Sequence, residues 1–268
     1  MMHQMLYLKI RSFGWLMGLI LISFAARSQQ IGRMETDRPD QTEAVYITKK
    51  GFIQAEIGFN KERFLGSSVT VHPTALWKAG LHEKFELRII TELNTVKPLL
   101  QSPNFPETQR GLLPVQLGGK IALWKENNLL PATSLIFHAG IPSLGSKSFR
   151  TPRWSPNFRF TMQHTLGEQT SLGYNLGAEW NGLSNQATWI YTFAPGMNIG
   201  KRWYGYVEAF GSIIRGEKPA HALDGGLAYY VNDDVKLDIS AGFGLSEQAI
   251  ENYVALGLSF RFSAFTKR

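Results

Sequence analysis

Asn252-Tyr253-Val254-Ala255-Leu256-Gly257-Leu258-Ser259-Phe260-Arg261-Phe262 is the stretch that decides the fold. Val254, Leu256, Leu258, Phe260 and Phe262 take alternate positions, and Tyr253, Ala255, Gly257, Ser259 and Arg261 fill the gaps. Side chains along a strand point to opposite faces with a period of two, so this segment has one apolar face and one small or polar face. Its length is the roughly 9–11 residues that a tilted strand needs to cross a membrane.

The same alternation recurs upstream. Together with the last stretch, segments near 51–60, 70–79, 84–93, 113–124, 132–141, 155–164, 170–180, 187–197, 202–212, 221–231 and 234–245 predict about twelve strands. In the third, Phe85, Leu87, Ile89 and Thr91 oppose Glu86, Arg88 and Glu92. In the eleventh, Val235, Leu237, Ile239, Ala241 and Phe243 oppose Lys236, Asp238, Ser240, Gly242 and Gly244. A basic residue on a lipid face costs about 2–4 kcal/mol at mid-bilayer, so a one-residue slip is expensive in most of these strands. A water-soluble β-sandwich also alternates, but it should carry charge outside and bulky aliphatics inside. Here the polar rows are rich in Gly, Ser and Asn, which suits the crowded interior of a narrow barrel. Phe52, Phe59, Trp77, Trp124, Trp180, Trp203 and Phe262 sit near segment ends, as interfacial girdles require.

The connections give a second check. Residues 80–83, 125–131, 165–169, 198–201 and 232–233 are mostly short and rich in Gly, Asn or Asp, as tight turns demand. Those between, notably 94–112 with Pro98, Pro103, Pro106 and Gly111, and 142–154, are longer. Short periplasmic turns and longer outer loops are the asymmetry of an outer-membrane barrel, and an even strand number returns both termini to the periplasm.

Residues 1–28 read as a cleaved signal peptide: Lys9 and Arg11, an apolar run from Phe13 to Phe24, then Ala26-Arg27-Ser28. The apolar run is too short to span a bilayer as a helix, which argues against an N-terminal anchor. Removing Lys9, Arg11 and Arg27 from the 28 basic residues leaves 25 against 21 acidic ones, a net of +4. That mild charge, without a basic run, gives no reason to expect a nucleic-acid partner. The chain has no cysteine, which excludes disulfides, thiol catalysis and Cys-zinc sites. Three regions follow: the leader 1–28, an N-terminal periplasmic or lumenal segment 29–50, and an outer-membrane β-barrel 51–268.

The polar rows place Glu56, Glu86, Glu92, Glu179, Glu208, Asp224 and Asp238 inside, with Lys78, Arg88, Lys120, Arg159, Lys236 and Arg261. The signs nearly balance. That favours a network of ion pairs filling the lumen over a charged ring that selects ions. Just before the first strand, Asp37, Arg38, Asp40 and Glu43 form a dense charged patch. It is either a solvated periplasmic tail or, as preferred, a plug that tucks into the lower lumen and pairs with residues such as Arg88, Lys120 or Arg261.

Two resemblances sharpen this reading. An aromatic-ended last strand resembles the closing strand of outer-membrane barrels, which their assembly machinery reads; here six residues follow Phe262. Glu35-Thr36-Asp37-Arg38-Pro39-Asp40-Gln41-Thr42-Glu43, followed by Gly51-Phe52-Ile53-Gln54-Ala55-Glu56-Ile57-Gly58-Phe59, resembles the transporter-like outer-membrane family labelled for the meta-pathway of phenol degradation. That resemblance implies a β-barrel over essentially the whole mature chain and says little about substrate.

No catalytic constellation stands out. His72, His82, His138, His164 and His221 form no His-x-Ser pair, and Ser134 lies four strand residues from His138, too far for direct contact. No metal spacing or phosphate-cradling loop is present, and no cofactor is expected. The expectation is an all-β, monomeric, up-and-down barrel of about twelve strands, exported to the outer membrane and seated in its lipid. It is not an enzyme, and it passes or takes up a small solute, hydrophobic and aromatic ones among the candidates. An outer-membrane lipid hydrolase and a closed structural or adhesive barrel are the alternatives.

Overall fold

The computed structural model describes residues 32–64, 67–98 and 107–264. The chain divides into two compact units, 1–33 and 34–268, and of the first only Gly32 and Arg33 are among the described residues. The expected leader, 1–28, lies outside them.

In the second unit the strands are β1 (Phe52–Phe64), β2 (Ser67–His82), β3 (Phe85–Pro98), β4 (Gln109–Leu112), β5 (Gln116–Trp124), β6 (Ala132–Gly140), β7 (Ser155–Thr165), β8 (Thr170–Glu179), β9 (Thr188–Ile199), β10 (Trp203–Ile214), β11 (Ala220–Asn232), β12 (Val235–Gly244) and β13 (Asn252–Ser263). Each pairs antiparallel with its neighbours, and β1 pairs with β13, which closes the sheet on itself. β4 and β5 both pair with β3 and are two pieces of one stave, so the thirteen strands make a twelve-stave barrel. Closure pairs both sides of every strand but β4, which pairs with β3 alone, and so meets the condition for crossing hydrocarbon with strands. No helix among the described residues is long and apolar enough to cross a membrane.

The closing strand obeys its alternation. Tyr253 and Ser259 are 4% and 0% exposed, while Val254 and Leu256 are 52% and 49% exposed. β12 repeats the division, with Lys236, Asp238 and Ser240 buried and Leu237, Ile239 and Phe243 outside. Register places Leu237 opposite Leu258 and Ile239 opposite Leu256, so the outer surface is built from apolar cross-strand pairs. Leu256→Arg should therefore cost about 2–4 kcal/mol in denaturant titrations of the protein refolded in lipid vesicles. A loss under about 0.5 kcal/mol, typical of an ordinary surface substitution, contradicts the lipid-facing assignment.

Three boundaries differ from the sequence reading. The fourth segment, read over 113–124, becomes strand only at Gln116, after a gap that follows Leu112. Pro114 falls in that gap and has no N–H to give a ladder. Residues 61–69, read as a connection, are largely strand. Their outward positions carry Lys61 and Arg63, so the apolar alternation fades although the ladder continues (Lys61 opposite Thr70, Arg63 opposite Ser68). Gln109–Leu112, read as loop, pairs with the upper part of β3. Strand ends that project past hydrocarbon keep their backbone bonds but lose the lipid constraint that writes the pattern. Charge at these outer ends is thus a consequence of height in the membrane.

The loop 141–154 is tied down as well. It holds two short 3-10 turns, Pro142–Leu144 and Lys147–Phe149. Ser146 bonds β4 twice, donating its N–H to the Leu112 carbonyl (2.8 Å) and accepting the Leu112 N–H on Oγ (2.9 Å). At the opposite end, in the turn 125–131, Glu126 accepts the Thr165 N–H (2.8 Å) and hydroxyl (2.7 Å). Those bonds hold its carboxyl below the usual range.

Candidate functional site

The inward rows do not enclose an empty lumen. Residues 34–48 run through it and are bonded to most of the wall. The segment enters beside the β11–β12 turn, where the Met34 N–H donates to the Asp233 carbonyl (2.9 Å). Gln54 on β1 donates to the Glu35 carbonyl (2.7 Å). Two positions further along β1, Glu56 accepts the N–H groups of Asp37 (3.0 Å) and Arg38 (3.1 Å).

Asp37 is the centre of the network. Its carboxylate receives Lys78 of β2 (2.9 Å), Lys120 of β5 (2.8 Å) and the Ala44 N–H (3.0 Å), with Arg88 of β3 at 3.2 Å. Lys78 also pairs with Glu56, and Arg88 pairs with Glu43 at 2.7 Å and Glu86 at 3.5 Å. Lys78, Arg88 and Lys120 are each no more than 2% exposed. Three cations taken out of water need compensating charge within contact range, and here part of it comes from a segment outside the wall.

Arg38 reaches its place through glycine. Gly58 of β1 and Gly257 of β13 are direct register partners on the inward rows. A Cβ on either would strike the Arg38 guanidinium, and one on Gly257 would also strike the Asp238 carboxylate. The missing side chains form a slot that lets the guanidinium lie on the wall and bond Asp238 (2.9 Å). Lys236, next to Asp238 along the same row, donates to the Thr36 hydroxyl and the Arg38 carbonyl.

The segment turns at Asp40–Glu43. Glu208 of β10 accepts the Gln41 N–H (2.7 Å), and Thr42 Oγ1 lies 2.6 Å from both Glu208 Oε1 and Thr192 Oγ1. Asn175 of β8 clamps Glu43 at both main-chain groups, accepting its N–H (2.7 Å) and donating to its carbonyl (3.1 Å). Arg159 of β7 donates to the Gln41 carbonyl (2.9 Å). Asp40 lies in the field of Lys236 and of Asp224, whose carboxylate accepts the Tyr253 hydroxyl. The chain then returns along β5 and β6. Lys120 donates to the Ala44 carbonyl (2.7 Å), Ser134 to that of Val45 (2.6 Å), and Glu86 accepts the Thr48 N–H (2.6 Å).

Of the wall residues expected inside, Glu56, Lys78, Glu86, Arg88, Lys120, Glu208, Asp224, Lys236, Asp238 and Arg261 are buried, Glu92 and Arg159 are half-buried and Glu179 is exposed. Arg261 calls for a correction as a partner of the charged patch: it bonds Asp234 of the β11–β12 turn at 2.6 and 2.8 Å. It sits near the turn end of β13, below the height at which Asp37 and Glu43 lie, and the nearby turn carboxylate takes it. Glu92 and Glu179 take no part in the Asp37 network and line the space above it. The sequence reading missed Gln54, Ser134, Asn175 and Thr192, which hold main chain or hydroxyls by neutral hydrogen bonds. Their signal was a polar side chain on an inward row and, for Gln54 alone, its place in the stretch 51–59 that carries the family resemblance.

Above the turn lie two cavities. One, of about 400 Å³, has Gln41 and Arg159 in its lining, apolar residues including Phe64, Ile190 and Phe210, and the loop residues Glu217, Lys218 and Gln248. The other, of about 580 Å³, is more polar, with Gln116, Arg150, Asn157 and Asn181. Glu179 lines both. The histidines have other partners: His138 Nδ1 is 3.2 Å from Asn157 Oδ1, and His221 Nδ1 is 2.6 Å from the Tyr191 hydroxyl. No group of three or more His, Cys, Asp or Glu residues placed to hold a metal ion occurs among the described residues.

A sequence family described as "Putative MetA-pathway of phenol degradation" matches residues 36–262, which takes in both the lumenal segment and the barrel. Among solved structures, the COG4313 outer membrane channel from Pseudomonas putida F1 is similar at TM-score 0.65 and 12% identity, over 84% of this chain and 99% of that one. The NanC porin follows at TM-score 0.53 and 11% identity, over 78% and 98%. The KdgM porin in complex with disordered oligogalacturonate is similar at TM-score 0.50 and 11% identity, over 77% and 99%. At these identities the likeness is one of fold. A comparison with curated proteins returned no match.

Proposed function

We propose, for a chain that belongs to this outer-membrane β-barrel family, that it passes a small solute by diffusion, with residues 34–48 as the gate of its lumen. One observation carries the reading: a single charged segment bonds to opposite walls across the lumen, and its turn residue Gln41 lines the smaller cavity on the long-loop side. A purely structural barrel could close its lumen with wall side chains alone. Here the closure rests on a separable strand of chain held by polar bonds, which can be broken and remade without unfolding the barrel.

The apolar lining contributed by Phe64, Ile190 and Phe210 favours a solute with a hydrophobic or aromatic part. The rings of His138 and His221 are engaged by Asn157 and by the Tyr191 hydroxyl, partners that favour a barrel without hydrolytic chemistry. Export through the leader 1–28, assembly from the aromatic-ended β13, and residence as a monomer in outer-membrane lipid complete the reading.

The test is single-channel recording in planar bilayers. Deleting residues 29–43 removes Asp37, Arg38 and the turn, and the unit conductance should rise several-fold over that of the intact protein. An unchanged conductance from a folded variant, judged by its heat-modifiable mobility, contradicts a gate. Hydrolysis of detergent-solubilised phospholipid, lost on changing His138 or His221, would replace the passage reading with the enzymatic one.

A further inference from the structure

We infer that the smaller cavity above the segment is a binding site for a small zwitterion, one ammonium and one carboxylate on an apolar or aromatic body. This rests on the passage reading in that it names the class of solute passed.

Two charges in this cavity are not satisfied by each other. Arg159 and Glu179 both line the cavity. Neither makes an ion pair within 4 Å among the described residues, with each other or with anything else. They project from adjacent strands, Arg159 opposite Gly177 and Glu179 two residues further toward the mouth. Arg159 spends one N–H on the Gln41 carbonyl at the floor. The floor carboxylates are occupied: Glu43 by Arg88 at 2.7 Å, and Glu208 by Gln41 and Thr42. At the rim, Lys218 is paired with Glu247 at 3.0 Å, and Glu217 belongs to the 215–219 loop at the mouth.

A ligand that fills about 400 Å³ displaces water from Arg159 and from the side of Glu179 that faces this cavity. A neutral body leaves both uncompensated. A monoanion meets Arg159 but faces Glu179, and a monocation meets Glu179 but faces Arg159. Burying a charge without a partner is unfavourable, so a molecule bearing both charges is the complement. Phe64, Ile190, Phe210, Ala222 and Ile250 supply a wall for its apolar part. The carboxylate goes to Arg159, the deeper group, and the ammonium to Glu179.

Isothermal titration calorimetry of the full-length, detergent-solubilised barrel tests this with phenylalanine, 3-phenylpropionate (no amine) and phenethylamine (no carboxylate). Phenylalanine should bind at least about 10-fold more tightly than either analogue, a difference of about 1.4 kcal/mol. Arg159→Gln should erase the advantage over phenethylamine, and Glu179→Gln the advantage over 3-phenylpropionate. Arg159→Lys should restore part of what Arg159→Gln loses, which a merely structural role for the position does not predict. Equal or tighter binding of either analogue, or no heat from phenylalanine up to 10 mM, overturns the site. Planar-bilayer conductance with and without residues 29–43 separates the two claims: a barrel that opens on the deletion but ignores phenylalanine refutes this inference alone, and one that binds phenylalanine but shows no rise on the deletion refutes the passage reading.

Discussion

Asp37→Ala should open the lumen and weaken the barrel in a single step. The substitution takes a carboxylate from the midst of Lys78, Lys120 and Arg88, all buried. Removing one partner of a buried ion pair costs about 3–5 kcal/mol, because the remaining charge stays desolvated without compensation. Glu56 still faces Lys78, and Glu43 and Glu86 still face Arg88, which limits the loss at those two. Lys120 retains only the carbonyls of Ala44 (2.7 Å) and Tyr46 (3.3 Å). The cheapest relief is for the segment to leave and water to enter. Unit conductance in planar bilayers should rise several-fold, and residues 34–48 should become cleavable by protease from the periplasmic side. A folded Asp37→Ala barrel with unchanged conductance and a protected segment would show that Asp37 only fills space.

Gly257→Val should produce the second-largest effect, by steric means. Its Cβ would occupy the place of the Arg38 guanidinium and press on Asp238. Overpacking of this kind costs about 1–3 kcal/mol, and the charge-assisted bond from Arg38 to Asp238 adds about 1.5–3 kcal/mol if it is lost. A double-mutant cycle with Arg38→Ala separates the slot from a general strand effect. In the Arg38→Ala background the same valine meets no guanidinium, and its cost should fall by more than half. An equal cost in both backgrounds, measured by denaturant unfolding in vesicles, would place the role of Gly257 in the strand itself.

Much of this architecture was written in the sequence because lipid enforces it. The aliphatic rows of β12 and β13 read without ambiguity, since an apolar solvent on one side and a polar lumen on the other penalise every slip. The break at Pro114 and the projecting ends around Lys61 and Arg63 were not legible for the complementary reason: outside hydrocarbon the ladder persists without the pattern. The inward charges were legible as rows whose near-balance pointed to a network, but the connections within that network were not. Nothing in the spacing of Lys78, Arg88 and Lys120 says that they converge on one carboxylate, because convergence depends on stagger between strands and on the path of a segment without secondary structure. Arg261 illustrates this. Its row was right, and its partner was decided by its height in the barrel. Gly58 and Gly257 look in sequence like any other glycine of a crowded lumen, and only their register across β1 and β13 makes them a slot.

The chain's lack of cysteine makes the decisive measurement clean. Thr42 Oγ1 and Thr192 Oγ1 are 2.6 Å apart, within the reach of two thiols that close to an S–S bond of about 2.0 Å. Thr42→Cys and Thr192→Cys, added to Asp37→Ala, tether the segment to β9 in an otherwise opened barrel. With residues 34–48 as the gate, the oxidised triple variant conducts no more than the wild type, and reductant raises its unit conductance to that of Asp37→Ala. Failure of the disulfide to form in the folded barrel, or identical currents before and after reduction, contradicts it.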